Sequence, residues 1–167
     1  MTSAEAHAHD HATGACPGAK TMSFADSTDE ASHHDGTRPS QLRQWPIQLH
    51  LVSPEAPYFA GADILLTADC VAFAIGDFHK DHLTGNSLAI ACPKLDEGQE
   101  IYLEKIKSLF DDARINTLTV MIMQVPCCSG LLNLAIEASK KAERKVPLKN
   151  LVVSLEGVIL QDEWVES

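Results

Sequence analysis

Apolar and polar positions follow structural periods only from about residue 41 onward. Ile47–Val52 (IQLHLV) alternates apolar and polar side chains, the period-two pattern of a half-buried strand. ADILLTA (Ala62–Ala68) and SLAIA (Ser87–Ala91) are short, mostly apolar runs and read as buried strands. Between them, Val71–Ile75 starts a helix that Gly76 breaks, and a polar stretch continues to Gly85. Gly98–Arg114 carries the clearest helical period: Tyr102, Ile106, Leu109 and Phe110 share one face, while Glu104, Lys105, Lys107 and Asp111 point away. NTLTVMIMQV (Asn116–Val125) is rich in strand formers and long enough for a central strand. Ser129–Arg144 returns to helical spacing through Leu131, Leu132, Leu134, Ala135 and Ala138. Its basic residues gather near the end, where the helix dipole favours cations. Leu148–Leu155 reads as a strand, Glu156-Gly157 as a turn, and Val158–Trp164 as a strand pairing back in an edge hairpin.

Strands alternating with helices imply an α/β fold: three layers, with a mainly parallel sheet covered by helices on both faces. Crossovers in such a sheet are right-handed, and ligands bind outside the carboxyl ends of its strands. Residues 1–40 differ from the rest. They are rich in Ala, His, Ser, Thr, Asp and Gly and lack apolar periodicity, so a largely disordered tail is expected there, followed by a single domain over 41–167.

Composition narrows the function classes. Of the 167 residues 45% are apolar, enough for a real core, and the formal net charge is −10. So acidic a chain is a poor partner for nucleic acid or for an anionic membrane. No stretch approaches the roughly 20 apolar residues of a membrane span. Met1–Asp10 has neither a basic nor an apolar segment of the kind that directs secretion, so a cytoplasmic location is expected.

In that setting the five cysteines are more interesting as thiols or ligands than as disulfides. Cys70 follows the strand Ala62–Ala68, Cys92 follows Ser87–Ala91, and Cys127 and Cys128 follow Asn116–Val125. Three strands thus end in cysteine, on the edge where this fold class places ligands. The pair Cys127-Cys128 sits just before a helix, whose free N–H groups and dipole favour thiolate over thiol. Adjacent cysteines point in different directions and rarely chelate one tetrahedral zinc, whereas a larger inorganic body can accept both. No Cys-x-x-Cys occurs, which counts against a zinc ribbon. All-thiolate ligation suits an iron–sulfur cluster or zinc. Cys16 lies in the tail, either as a further ligand that folds back or as a free thiol.

Other candidates surround these positions. His79 and His82 follow Cys70 closely, and either is placed to act as a ligand or proton donor. Asp69 is a partner for the site or a strand cap; Lys94 and Asp96 follow Cys92, and Lys94 either offsets the charge of a thiolate site or is a solvated loop charge. His7, His9, His11, His33 and His34 give the tail a weak capacity for divalent metal. The glycine-rich phosphate loops and the serine-elbow and zinc-protease motifs are absent from the sequence.

The stretches SQLRQWPIQLHLVSPEAPYF and GADILLTADCVAFAIGDFH, then ACPKLD and VPCCSGL, resemble a family of bacterial and archaeal proteins described as iron–sulfur-binding or ferredoxin-like. The family's upstream Cys-Pro-Gly-Ser element reads Cys16-Pro17-Gly18-Ala19 here. A more distant likeness is to the CCG domains of heterodisulfide-reductase-type subunits, in which a cysteine is followed at a similar distance by Cys-Cys-Gly; Ser129 stands in the glycine's place here. The cluster-bearing subunit of respiratory complex I likewise uses tandem cysteines on an α/β fold. The placement of cysteines at strand ends, with this resemblance in support, leads to the expectation of a [4Fe–4S]-type cluster held by Cys70, Cys92, Cys127 and Cys128, with Cys16 and His79 as further candidates, in an electron-transfer protein or oxidoreductase component that docks a redox partner protein. Two alternatives stay open: a module that binds or traffics zinc or another soft metal, and a metal-free thiol enzyme with His79 as base.

Overall fold

The computed structural model describes residues 20–24, 36 and 38–165. Two short strands come first, β1 (Met22–Ser23) and β2 (Gln44–Trp45), paired antiparallel. Met22–Ser23 falls in the stretch expected to be featureless. It is held by this pairing and by the Phe24 N–H, which donates to the Arg43 carbonyl at 2.7 Å. Then follow β3 (Asp63–Ala68), the single-turn helix α1 (Val71–Ala74), a π-type turn (His79–Leu83), β4 (Ser87–Ala91), α2 (Gln99–Asp111) and β5 (Thr117–Met123). A 3₁₀ turn (Pro126–Cys128), α3 (Ser129–Lys141), β6 (Leu148–Val153) and β7 (Ile159–Val165) complete the chain.

The main sheet has the order β4-β3-β5-β6-β7. The first four strands are mutually parallel, and β7 runs antiparallel beside β6 as the expected edge hairpin. The chain steps from β3 outward to β4, then returns across β3 to β5. With right-handed crossovers the two connections must lie on opposite faces. Hence α1 and the π-type turn cover one face, while α2 covers the other with α3 packed beside it. Buried Ile106, Leu109 and Phe110 of α2 and Leu131, Ala135 and Ala138 of α3 complete the core on that side.

The strand expected over Ile47–Val52 does not form. Pro46 has no N–H to donate to a ladder, and the chain turns at once: the N–H groups of Leu51 and Val52 both donate to the Gln48 carbonyl. The turn's outward carbonyls are taken by Lys105 Nζ, which donates to those of Leu49 (3.0 Å), His50 (2.6 Å) and Val52 (2.8 Å). What survives of the strand is a single parallel bridge from Gln48 to Ile90. This segment covers the free edge of β4. The buried Gln44 amide both donates to the Leu88 carbonyl (2.9 Å) and accepts from the Leu88 N–H (3.1 Å), so the edge is closed by a side chain where a strand would otherwise pair.

The expected tail ligand Cys16 and the tail histidines lie outside the described residues. Among the described residues, no helix is long and apolar enough to cross a membrane.

Candidate functional site: the cysteine edge

The strands that end in cysteine are neighbours. In the order β4-β3-β5 the carboxyl ends carry Cys92, Cys70 and the pair Cys127-Cys128, and parallel pairing puts all of them at one edge of the sheet. Ala68 is in register with Ala91, so Cys70 and Cys92 leave their strands at nearly the same height. The Asp69 N–H extends the ladder to the Ala91 carbonyl at 3.2 Å, holding the two exits together.

Each cysteine is positioned by a local turn. Cys70 precedes α1, and its carbonyl accepts from the Phe73 N–H. Cys127 and Cys128 form the 3₁₀ turn that leads into α3, and the Ser129 hydroxyl donates to the Pro126 carbonyl at 2.8 Å. Cys92 has the most elaborate support. Its N–H donates to Asp96 Oδ2 at 2.7 Å, and the same oxygen accepts from Gln48 Nε2 (3.1 Å) and from the Tyr102 hydroxyl. The Asp96 N–H returns a bond to the Cys92 carbonyl at 2.9 Å. Burial, reinforced by the hydrogen bond to Asp96, pushes the Tyr102 hydroxyl far above its ordinary range, so it stays a donor. Asp96 is therefore the anchor of the Cys92 turn. No sequence motif marks this role, because the carboxylate returns to an N–H four residues earlier and not to the backbone two residues on, as in the common Asx turn.

The thiols differ in exposure: Cys70 and Cys127 are open to solvent, Cys92 is half-buried, and Cys128 is only 5% exposed. Burial pushes the Cys128 thiol up. A hydrogen bond from the Met123 backbone pulls the other way, and the neighbouring thiols Cys127 and Cys70 push it further up. At Cys128 burial works against the thiolate that the helix start is expected to favour. The same influences put Cys127 and Cys70 within electrostatic reach of Cys128. Cys92 is not among the groups that act on Cys128. Its turn is drawn in through Pro93, which lies against Gly130 of α3.

The His79 Nδ1 accepts from the Gln41 N–H at 3.1 Å, and the ring lies along a cavity with Asp69 and Ala72, the residues on either side of Cys70 and Val71. His82 lies in the fields of Asp81, of Asp162 on β7 and of Lys149 on β6. Asp69 has its Oδ1 buried without a hydrogen bond, and burial, then the nearby Asp96 charge, raises its pKa. Among the described residues, no three His, Cys, Asp or Glu side chains are grouped as a single metal ion would require.

Fold and edge together define an α/β protein of the open parallel-sheet class with thiols at its ligand-binding end. The chain belongs to a family of Rossmann-like domains, whose model matches residues 56–166. It is similar to an uncharacterized protein of the archaeon Archaeoglobus fulgidus, 28% identical over 121 residues that span 71% of this chain and 83% of the relative. No solved structure matches it significantly. The phosphate-binding glycine fingerprint of dinucleotide-binding sheets is absent after β3, where Ala68-Asp69-Cys70 stands instead.

Proposed function

We propose that the protein is an iron–sulfur redox protein in which Cys70, Cys92, Cys127 and Cys128 hold a [4Fe–4S]-type cluster at the carboxyl edge of the sheet. The observation that carries this reading is the placement of four thiols after the carboxyl ends of three adjacent parallel strands. The donor set fits: soft thiolate ligands suit iron–sulfur clusters. The sequence resemblance to iron–sulfur-binding proteins points the same way. A mononuclear zinc site is the weaker reading, because Zn–S bonds of about 2.3 Å demand a tight four-donor shell.

When bound, such a cluster supplies one-electron transfer. The protein's own residues hold the thiols and shape their surroundings. Asp96 fixes the Cys92 turn, and Gly130 lets the turns after β4 and β5 meet. Cys128, kept protonated by burial, has to lose its proton to ligate, so loading weakens as pH falls. Phe73 (93% exposed) and Leu95 (80% exposed), on the turns after Cys70 and Cys92, offer apolar contact for a redox partner protein. The net charge of −10 favours a partner with a basic docking face.

The test is anaerobic purification, followed by the visible spectrum and by iron and acid-labile sulfide per chain. A brown protein with iron and sulfide is expected, and Cys128→Ser should bleach it. Zinc without sulfide would replace the proposal with the metal-trafficking reading. No metal together with one fast-reacting thiol would favour a thiol enzyme.

A further inference from the structure

Phe73 and Leu95 are not alone in exposing apolar surface at the cysteine edge. Because β6 is parallel to β5, the turn that follows β6 leaves the sheet at the same edge as the cysteine turns. Its Leu155 is 63% exposed and its Val158 58%. Single apolar side chains scattered over a surface need no explanation, but four on the turns of one edge do.

The β6–β7 turn touches the cysteine turns on two sides. Gly157 lies so close to the Ala74 carbonyl, beside Phe73, that a β-carbon has no room. Toward β5, the Gln124 N–H donates to the Val153 carbonyl at 2.8 Å, and its Oε1 accepts from the Leu155 N–H at 3.3 Å. Gln124 leads through Val125 and Pro126 to Cys127. Buried Ser154 holds the turn from within, its hydroxyl accepting from the N–H groups of Glu156 (3.2 Å) and Val158 (3.1 Å). A turn fixed in this way presents Leu155 and Val158 with little ordering left for a partner to impose.

Charge decides what fits over them. The turns after β3, β4, β5 and β6 (69–77, 92–97, 124–128 and 154–158) carry the carboxylates Asp69, Asp77, Asp96, Glu97 and Glu156 and a single lysine, Lys94. Glu97 stands two places after Leu95, and Glu156 lies between Leu155 and Val158; both are exposed. A second copy turned face to face would set these acids against their own kind, and an anionic membrane would be repelled as well. A protein surface with an apolar centre and a basic rim is the complement.

We propose that the β6–β7 turn completes a docking face on the cysteine edge, with Phe73, Leu95, Leu155 and Val158 at its centre, for a protein that presents an apolar patch ringed by lysine or arginine. That this partner exchanges electrons rests on the cluster reading; the surface itself does not.

The probe is a small c-type cytochrome in its ferrous form, whose exposed haem edge is apolar and ringed by lysines. It is titrated into the full-length protein purified without oxygen, at low and at high salt. Calorimetry gives the affinity, and the methyl resonances of Leu155 and Val158 report the place. Binding at low salt is expected to shift those methyls and to weaken about tenfold or more at high salt. Leu155→Ser combined with Val158→Ser should weaken it roughly tenfold, while Leu160→Ser, a comparably exposed change on β7, should not. Glu156→Lys should weaken it and flatten the salt dependence. No binding by the native protein, shifts confined to other methyls, or a double serine variant that binds like the native protein would each overturn the proposal. A native dimer that the double variant makes monomeric in sedimentation would put a second copy on this face and overturn it too. Binding as expected by a protein that holds no iron would overturn the cluster reading alone.

Discussion

A β-carbon placed on Gly130 would lie 3.2 Å from Pro93 Cβ. Pro93 follows Cys92 at the end of β4, and Gly130 lies in the first turn of α3, just after Cys128. Between β4 and β5 runs β3. The two turns therefore meet across the end of the strand that carries Cys70, and the missing side chain is what lets them.

This contact sets the first prediction. In Gly130→Ala the ring has to give by only a few tenths of an ångström, and alanine favours a helix over glycine by up to about 1 kcal/mol. That variant should fold and keep its iron. Gly130→Val adds branched γ-carbons that push Pro93, and Cys92 with it, away from α3. Its helix content should stay near native by circular dichroism while affinity for iron drops roughly tenfold or more. Native iron retention in the valine variant would show that the contact does not hold the cysteines together.

Asp96 carries the second. Its Oδ2 serves the Cys92 N–H, Gln48 and Tyr102 together; Gln48 Nε2 also donates to the Tyr102 hydroxyl at 3.0 Å, so truncation leaves the Cys92 N–H and the Tyr102 hydroxyl without their acceptor. Asp96→Ala should lower unfolding free energy by about 2–3 kcal/mol and speed the reaction of Cys92 with a thiol reagent in the metal-free protein. Tyr102→Phe removes one donor and should cost about 1 kcal/mol with little change at Cys92. Urea unfolding and mass-resolved labelling check both, and equal losses in the two variants would mean that Asp96 does not anchor the turn.

The contrast between Asp96 and the cysteines shows what is legible in the sequence. Strand ends are marked by changes of period and by Pro and Gly. Those marks alone put Cys70, Cys92 and Cys127-Cys128 at strand ends of an α/β sheet, and so at one edge. Asp96 could not be separated from Lys94, because a loop carboxylate looks the same whether it meets water or the N–H four residues earlier. Gly130 and Pro93 are far apart in sequence, and only the strand order makes them neighbours. Ile47–Val52 misled because its alternation is real, but Lys105, distant in sequence, captures the carbonyls a strand would have used. The iron–sulfur reading still rests on thiol placement and on resemblance; the family match speaks to the fold alone.

Gly157 supplies the third prediction. It turns β6 into β7 with φ +81°, a left-handed conformation, and a β-carbon there would collide with the Ala74 carbonyl oxygen at the end of α1. Gly157→Ala meets both penalties at once. Left-handed backbone at a non-glycine residue costs about 1–3 kcal/mol, and a backbone oxygen cannot swing aside as a side chain would. A loss on the order of 3 kcal/mol or more is expected in thermal or urea unfolding. Since α1 begins beside Cys70, that cysteine should also become more reactive. A variant as stable as the native protein would mean that the hairpin turn does not bear on α1.

Acid sensitivity should centre on His82. Burial lowers its pKa below the ordinary 6.5; Asp81 and Asp162 oppose that shift, and Lys149 adds to it. The folded protein therefore holds the His82 proton less tightly than the unfolded chain does, and stability rises with pH across this range. This contribution is fully present above about pH 6.5 and is lost as pH falls through 6.5 toward the lower folded value. His82→Gln removes the titrating ring and leaves the backbone carbonyl that Asn86 Nδ2 bonds at 2.8 Å. Urea unfolding at several pH values between 7.5 and 5.5 should then show a flatter decline for the variant than for the native protein. Parallel declines would place the acid-sensitive group elsewhere.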